Sequence, residues 1–208
     1  MNIHAGEKVA LIGRTGSGKS SVLRVLCRLN TYTGSLLIAG RELRTIPSKV
    51  VRKQLTVIPQ DPLIFTGTVA FNLDPALQAS REDLRNVIEQ IGFRSSFAYL
   101  SKEVDLFSPD YFLDYSIASC GENLSQGQKQ LICLGRAMLR RSKILLIDEA
   151  TASLDDVIEK NFYDVLEKYF GDATIIMVCH KLDRALLFCD RVIELNCGKV
   201  LSDRGRMY

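Results

Sequence analysis

The sequence predicts an α/β fold, a mostly parallel sheet covered by helices with a helical insertion, and three observations carry that prediction. Short continuous runs of Val, Ile and Leu recur at residues 8–12, 35–38, 55–58, 144–147, 174–179 and 191–195. Such runs suit strands buried on both faces. A glycine-rich loop, GRTGSGKS at residues 13–20, joins the first run to a segment of helical periodicity. Between residues 61 and 142 the strand signals vanish and apolar residues return at helical spacing.

Taken in order, the segment VALI at 9–12 reads as a buried strand entering the glycine loop. Residues 20–29 follow as a helix, with Val22, Val25, Leu26 and Leu29 on its apolar stripe. Inside the insertion, residues 81–91 form a helix stopped by Gly92, and residues 125–140 form a longer one with Ser125 as its N-cap. The last helix, 155–170, carries Ile158, Phe162, Val165, Leu166 and Tyr169 on one face and stops at Gly171. Asn196-Cys197-Gly198 then turns the chain into a short final strand, 199–201. The expected division is a core of residues 1–60 and 141–208 interrupted by a helical subdomain, 61–140.

Bulk properties narrow the function classes. With 208 residues, 47% apolar and 25% charged, the chain can bury a substantial core. A net charge of +3, with Lys and Arg spread along the chain, leaves no nucleic-acid footprint. The six cysteines form no CxxC pair and sit mostly in apolar runs, so neither a zinc site nor disulfides are expected. Apolar runs such as 174–179 fall far short of the ~20 residues that cross a bilayer, and no basic-then-apolar leader opens the chain; a soluble chain is expected.

The glycine loop matches G-x-x-x-x-G-K-S/T, a P-loop NTPase pattern. Gly13, Gly16 and Gly18 allow backbone N–H groups to converge on phosphate oxygens, Lys19 adds a positive charge, and Ser20 offers a hydroxyl to a bridging Mg²⁺. Gly13, Arg14, Thr15, Gly16, Ser17, Gly18, Lys19, Ser20 and Ser21 are the candidate nucleotide contacts. The run KILLIDEA at 143–150 delivers two carboxylates at a strand end. Asp148 suits the metal, and Glu149 suits a base or orienting group for an attacking water. The run ENLSQGQKQ at 122–130 opens a helix whose start, Ser125 with the N–H groups near Gly127, makes a second anion-binding point.

With LSQGQ at 124–128 in place of LSGGQ, the chain resembles the ATP-binding-cassette (ABC) ATPases over essentially its whole length. The resemblance implies a RecA-like core with an inserted helical subdomain, ATP and Mg²⁺ as cofactors, and ATP hydrolysis that powers solute export. It makes Gln60 the glutamine that couples the site to membrane domains and joins Ser20 and Asp148 at the metal. Ser153, Leu154 and Asp155 are similar to the family's D-loop. Glu149, His180 and Gln60 take the catalytic roles, and Ser125, Gly127 and Gln128 contact ATP held by a second nucleotide-binding domain in a head-to-tail sandwich. Plain structural alternatives remain open for several of these: Gln60 as a polar loop residue, Asp155 as a helix cap, His180 as a hydrogen-bonded strand-end residue.

FNLDP at 71–75, NLSQGQKQLICLGRAMLR at 123–140 and ILLIDEATASLD at 144–155 are most similar to the second nucleotide-binding domain of C-subfamily, multidrug-resistance-protein-type exporters. This implies transmembrane domains as partners and a place on the cytoplasmic face of a membrane. Gln126 stands where the family usually has glycine, and two further departures stand out: only twelve residues precede Gly13, where the family's adenine-stacking aromatic lies earlier, and family members usually continue past the equivalent of Tyr208. A chain truncated at both ends is expected. The alternatives are a soluble ABC ATPase of DNA repair or translation, and a regulatory nucleotide-binding module with little turnover.

Overall fold

The computed structural model describes residues 1–97, 108–179 and 186–205. They form two compact units, one of residues 1–57, 142–149 and 172–208, the other of residues 58–141 and 150–171.

The first unit is organised by its sheet. The chain opens with β1 (Lys8–Ile12), α1 (Lys19–Leu26), a hairpin of β2 (Leu37–Ile38) and β3 (Arg41–Glu42), α2 (Ser48–Gln54) and β4 (Leu55–Ile58). Then come β5 (Gly67–Thr68), α3 (Val69–Leu73), α4 (Arg81–Gln90), α5 (Pro109–Leu113), β6 (Ser116–Ile117) and α6 (Gln126–Arg140). The chain closes with β7 (Ile144–Asp148), α7 (Asp156–Tyr169), β8 (Thr174–Val178), β9 (Arg191–Asn196) and β10 (Lys199–Gly205). The six-stranded sheet has the order β10-β9-β1-β8-β7-β4. β1 lies parallel between β8 and β9, β8 is parallel to β7, and β10 runs antiparallel against β9. Val9, Ala10 and Leu11 are fully buried, which is why this strand reads as a continuous apolar run.

The expectations hold for β1, β4, β7, β8 and β9 and for α4, α6 and α7, while β10 runs on to Gly205 past its expected end at 201, and the other differences have local causes. α1 ends three residues early, at Leu26, because Arg28 takes φ 53° and the N–H groups of Leu29 and Arg28 close back on the carbonyls of Arg24 and Val25. That is a Schellman ending, and it leaves Leu29 exposed. The run at 35–38 shrinks to β2, turned into β3 by Ala39 and Gly40 at φ 49° and 75°. Cys197 and Gly198, at φ 46° and 76°, form the two-residue hairpin between β9 and β10. The helical insertion does contain strand: β5 and β6 pair antiparallel, contrary to the expectation that strands vanish there.

In the second unit α6 is the axis. α3 and α4 pack on it at Gly135, where an added Cβ would come within 2.5 Å of Leu73 and 3.0 Å of Val87, both buried. Arg136, one residue on, donates to the carbonyls of Asn72 and Leu63 at 2.5 and 2.6 Å. Asn72 is fully buried and exchanges hydrogen bonds with both backbone groups of Phe65. The irregular segment 63–66 ahead of β5 is thus tied to α3 and α6 by two side chains that bond its backbone groups.

Two stability predictions follow from these contacts. Gly135→Ala gains up to about 1 kcal/mol of helix propensity but overpacks a buried seam, which costs roughly 1–3 kcal/mol. A net loss is expected, read as a lower denaturant midpoint, and a stabilised variant would show that the seam has slack. On the sheet edge, Arg191 bonds Asp203 through both carboxylate oxygens at 2.5 and 2.6 Å, and reaches Glu7 and the Asn2 carbonyl. Those bonds hold the Asp203 carboxyl below its usual range. A lowered carboxylate stabilises the fold above its unfolded-state value and loses that contribution as pH falls through the folded value. Asp203→Asn should therefore be less stable than the parent at neutral pH, with the gap closing below about pH 4.

Candidate functional site

The phosphate loop leaves β1 beneath its neighbour β9. Gly13, at φ 144°, lies so close that a Cβ would sit 2.2 Å from the Leu195 carbonyl oxygen, and no other residue fits. Gly16 takes φ 80° with open space beside it, and Gly18 takes φ 106° as the N-cap of α1. The β9–β10 hairpin pins the loop from the side, with the Gly198 N–H donating to the Ser17 carbonyl at 3.0 Å.

α1 begins unlike the longer helices. Ser80, Ser125 and Asp155 cap α4, α6 and α7 through their side chains, and α4 and α7 add acidic residues in the first turn. Gly18 supplies no side-chain cap and no acid follows it. The first-turn N–H groups and the positive end of the helix dipole are left for an anion. Lys19 is buried within this cradle, its ammonium donating to the carbonyls of Gly13 and Arg14 at 2.9 and 3.3 Å. Ser17 is buried and its hydroxyl has no hydrogen-bond partner, while Arg14, Thr15 and Gly16 face solvent.

Two strands away, β7 brings Asp148 to α1, and Ser20 donates a hydrogen bond to its carboxylate at 3.1 Å. Burial raises the Asp148 pKa, the neighbouring Glu149 charge adds to this, and the Ser20 bond with the Arg24 and Lys19 charges opposes it. Glu149 follows at φ 51°, left-handed backbone that is uncommon for a residue with a side chain, and its N–H continues the ladder to the Val178 carbonyl. The first unit therefore brings Lys19, Ser20, Asp148 and Glu149 together.

The other candidates belong to the second unit. Ser125 and Gln128 form a capping box, the Ser125 hydroxyl accepting from the Gln128 N–H at 3.2 Å and the Gln128 amide oxygen accepting from the Ser125 N–H at 2.8 Å. Ser125 is exposed, so its hydroxyl proton remains available to a ligand. Gly127 is buried against α7, where a Cβ would meet Ile158 at 2.7 Å. Gln128, the next residue of the LSQGQ run, also packs inward. It is fully buried, and its amide nitrogen donates to the Ser96 carbonyl at 3.2 Å, so it holds the helix start in place. Asp155 caps α7 by accepting from Val157 and Ile158, the plain structural alternative, and Leu154 is buried at the Gly127 contact. Gln60 is exposed, Gln126 half-buried, and His180 lies outside the described residues.

Sequence reasoning missed Gln130. It is fully buried on α6 and its amide nitrogen donates to the carbonyls of Pro59 and Gln60 at 3.0 and 2.9 Å. A glutamine two residues past LSQGQ on a helix carried no signal beyond interrupting the apolar stripe. The left-handed Glu149 was equally hidden, since nothing in its residue type announces such a backbone.

Comparison with known proteins gives the family and the fold. Residues 1–152 match the ABC transporter family. The chain is 39% identical to the ATP-binding cassette transporter abc4 of Schizosaccharomyces pombe, with 99% of the chain aligned to 14% of that protein. It is 38% identical to ATP-binding cassette sub-family C member 2 of Rattus norvegicus, with 100% of the chain aligned to 13% of the relative. Its fold superposes on a bacterial Atm1-family ABC exporter with ATP bound at a TM-score of 0.86 and 26% identity, covering 99% of this chain and 35% of that one. Among the described residues no helix is long and apolar enough to cross a membrane. The chain is therefore a nucleotide-binding ATPase domain with the P-loop NTPase fold, and it is a member of the ABC transporter family.

Proposed function

We propose that the chain binds MgATP and hydrolyses it as one of two nucleotide-binding domains that drive solute export through transmembrane domains, on the cytoplasmic face of a membrane. The observation that carries this reading is the 3.1 Å bond between Ser20 and Asp148 beside the buried Lys19, in an α1 cradle without a cap of its own. Names of the relatives support it over a soluble ATPase of DNA repair or translation, since they are transporters and an exporter.

The donor set fits magnesium. Ser20 and Asp148 present two hard oxygens, and no cluster of three or more His, Cys, Asp or Glu side chains among the described residues forms a full metal cage. Mg²⁺ takes few protein ligands and completes its shell with phosphate oxygens and water. Ser20 and Asp148 would hold it, with Gln60 as the third protein contact, and the ion would offset charge on the β- and γ-phosphates. Lys19 trades its loop carbonyls for phosphate oxygens, a charge-assisted exchange. Arg14, Thr15 and Gly16 line the open side of the cradle, Gly13, Ser17 and Gly18 shape it, and Ser21 lies in the first turn of α1.

Glu149 accepts the proton of the attacking water or orients it, and His180 contributes at the γ-phosphate. Ser125 and Gly127 act in trans on ATP held by the other domain, with Gln128 fixing their helix start. Among C-subfamily exporters the retained Glu149 and the altered signature at Gln126 favour the second domain.

Glu149→Gln keeps size and hydrogen bonding but cannot take a proton, so steady-state turnover should fall about a hundredfold or more with ATP still bound. Unchanged hydrolysis would remove Glu149 from the mechanism. In an assembled pair, Ser125→Arg on this chain should silence the site built on the partner's phosphate loop. Loss confined to the site built on this chain's own Lys19 would overturn the head-to-tail arrangement.

A further inference from the structure

We infer that Gln130 is the positioning residue for Gln60, tying the metal-side glutamine to α6 so that the two move as one body. The inference rests on the reading of Gln60 as a metal-side residue. Gln60 itself is exposed and lies two residues beyond the end of β4, with two prolines, Pro59 and Pro62, around it. Nothing in that short stretch would orient it except its backbone. The Gln130 amide nitrogen forks between the carbonyls of Pro59 and Gln60, at 3.0 and 2.9 Å, and so fixes the peptide planes on both sides of the Gln60 Cα. The direction in which the Gln60 side chain leaves the chain is set by those two planes.

Burial gives this fork its force. Gln130 is fully buried, and its amide oxygen has no hydrogen-bond partner. A buried polar group with an unmet acceptor is costly, and an apolar residue would fill this position on α6 more cheaply. The amide is retained for its two donors. Gln130 also lies only five residues beyond Ser125, about 7.5 Å along the helix axis. One rigid helix thus carries the anion-binding start at one end of that interval and the anchor of Gln60 at the other. A shift of α6 on engaging a nucleotide is passed to Gln60 through two hydrogen bonds.

Gln130→Met keeps length and volume but removes both donors, and Gln130→Glu keeps the shape while facing the two carbonyls with oxygen. Hydrogen exchange of the peptide spanning residues 55–66, in the full chain, should rise about tenfold in Gln130→Met, as expected for losing two neutral hydrogen bonds. Gln130→Glu should rise at least as much. The Mg²⁺ concentration giving half-maximal binding of a fluorescent ATP analogue should rise several-fold in Gln130→Met and in Gln60→Ala, with no further rise in the double variant, because both act on one contact. Parent-like exchange in Gln130→Met overturns the inference. So does a Mg²⁺ shift that appears in Gln60→Ala alone or adds in the double variant. Should Gln60→Ala leave the Mg²⁺ dependence unchanged, the reading of Gln60 fails first and takes the inference with it.

Discussion

The pairing of β1 on both of its edges is the constraint from which the first unit's site is built. Lys8 to Leu11 register with Ile175 to Val178 on one side, and Val9 to Ile12 with Arg191 to Glu194 on the other. With Val9, Ala10 and Leu11 also fully buried, this strand has no freedom to slide or tilt, since a one-residue slip would turn every side chain to the opposite face. The exit of the phosphate loop is therefore fixed, and it is fixed hard against the Leu195 carbonyl. Gly13 is the consequence. Neighbouring strands lie about 4.8 Å apart, so β7, two places from β1, stands about 10 Å away. The loop and first turn of α1 span that gap and leave Ser20 within hydrogen-bond reach of Asp148.

Helix starts show how the same physics is put to opposite uses. Every α-helix begins with N–H groups that have no intrahelical partner. At α4 and α7 these are met by Ser80 and Asp155 with acidic neighbours, which closes the position to an anion. At α1 a glycine in left-handed backbone leaves them open. α6 is intermediate: its capping box uses the Gln128 N–H, no acid sits in its first turn, and Ser125 stays exposed. That difference separates a helix start that only ends an element from one that can meet a phosphate, and it is a difference in composition over four residues.

What could be read from sequence alone follows the length and regularity of each element. β1, β4, β7, β8 and β9 and the helices α4, α6 and α7 were legible because each presents either a continuous apolar run or several turns of periodicity, whereas β10 carries the polar residues Ser202, Asp203 and Arg204 past its expected end at 201. α2, α3 and α5 span five to seven residues, too few for a period to be seen. β5 and β6 are two residues each and exist only because distant segments meet. Within the site, glycine, lysine, serine and carboxylate positions were legible since their chemistry is in the side chain or its absence. The bond by which Gln128 holds the helix start was hidden for the same reason that Gln130 was overlooked. An amide's role depends on whether it is buried, and burial here is decided by α6 packing with segments dozens of residues away.

The backbone at Glu149 shows why two adjacent carboxylates can serve one site at all. In a strand, successive side chains point to opposite faces, so Asp148 and Glu149 in continuous β structure would be divided by the sheet. At φ 51° Glu149 leaves that alternation directly after the last paired residue of β7. A non-glycine residue held this way costs of order 1–3 kcal/mol, and such positions persist only where surrounding structure enforces them. The enforcement is visible in the Glu149 N–H, which stays bonded to the Val178 carbonyl at 3.1 Å even as the chain turns. With the alternation broken, the Glu149 charge is felt at Asp148 and helps to raise its pKa. A carboxyl whose proton affinity is raised by burial and by a neighbouring like charge calls for a cation beside it. Lys19 and Arg24 already act in that direction, and a divalent ion at Ser20 and Asp148 would act more strongly. The raised carboxyl calls for a cation and the open helix start for an anion, and the left-handed turn at Glu149 brings a second carboxylate to the same place.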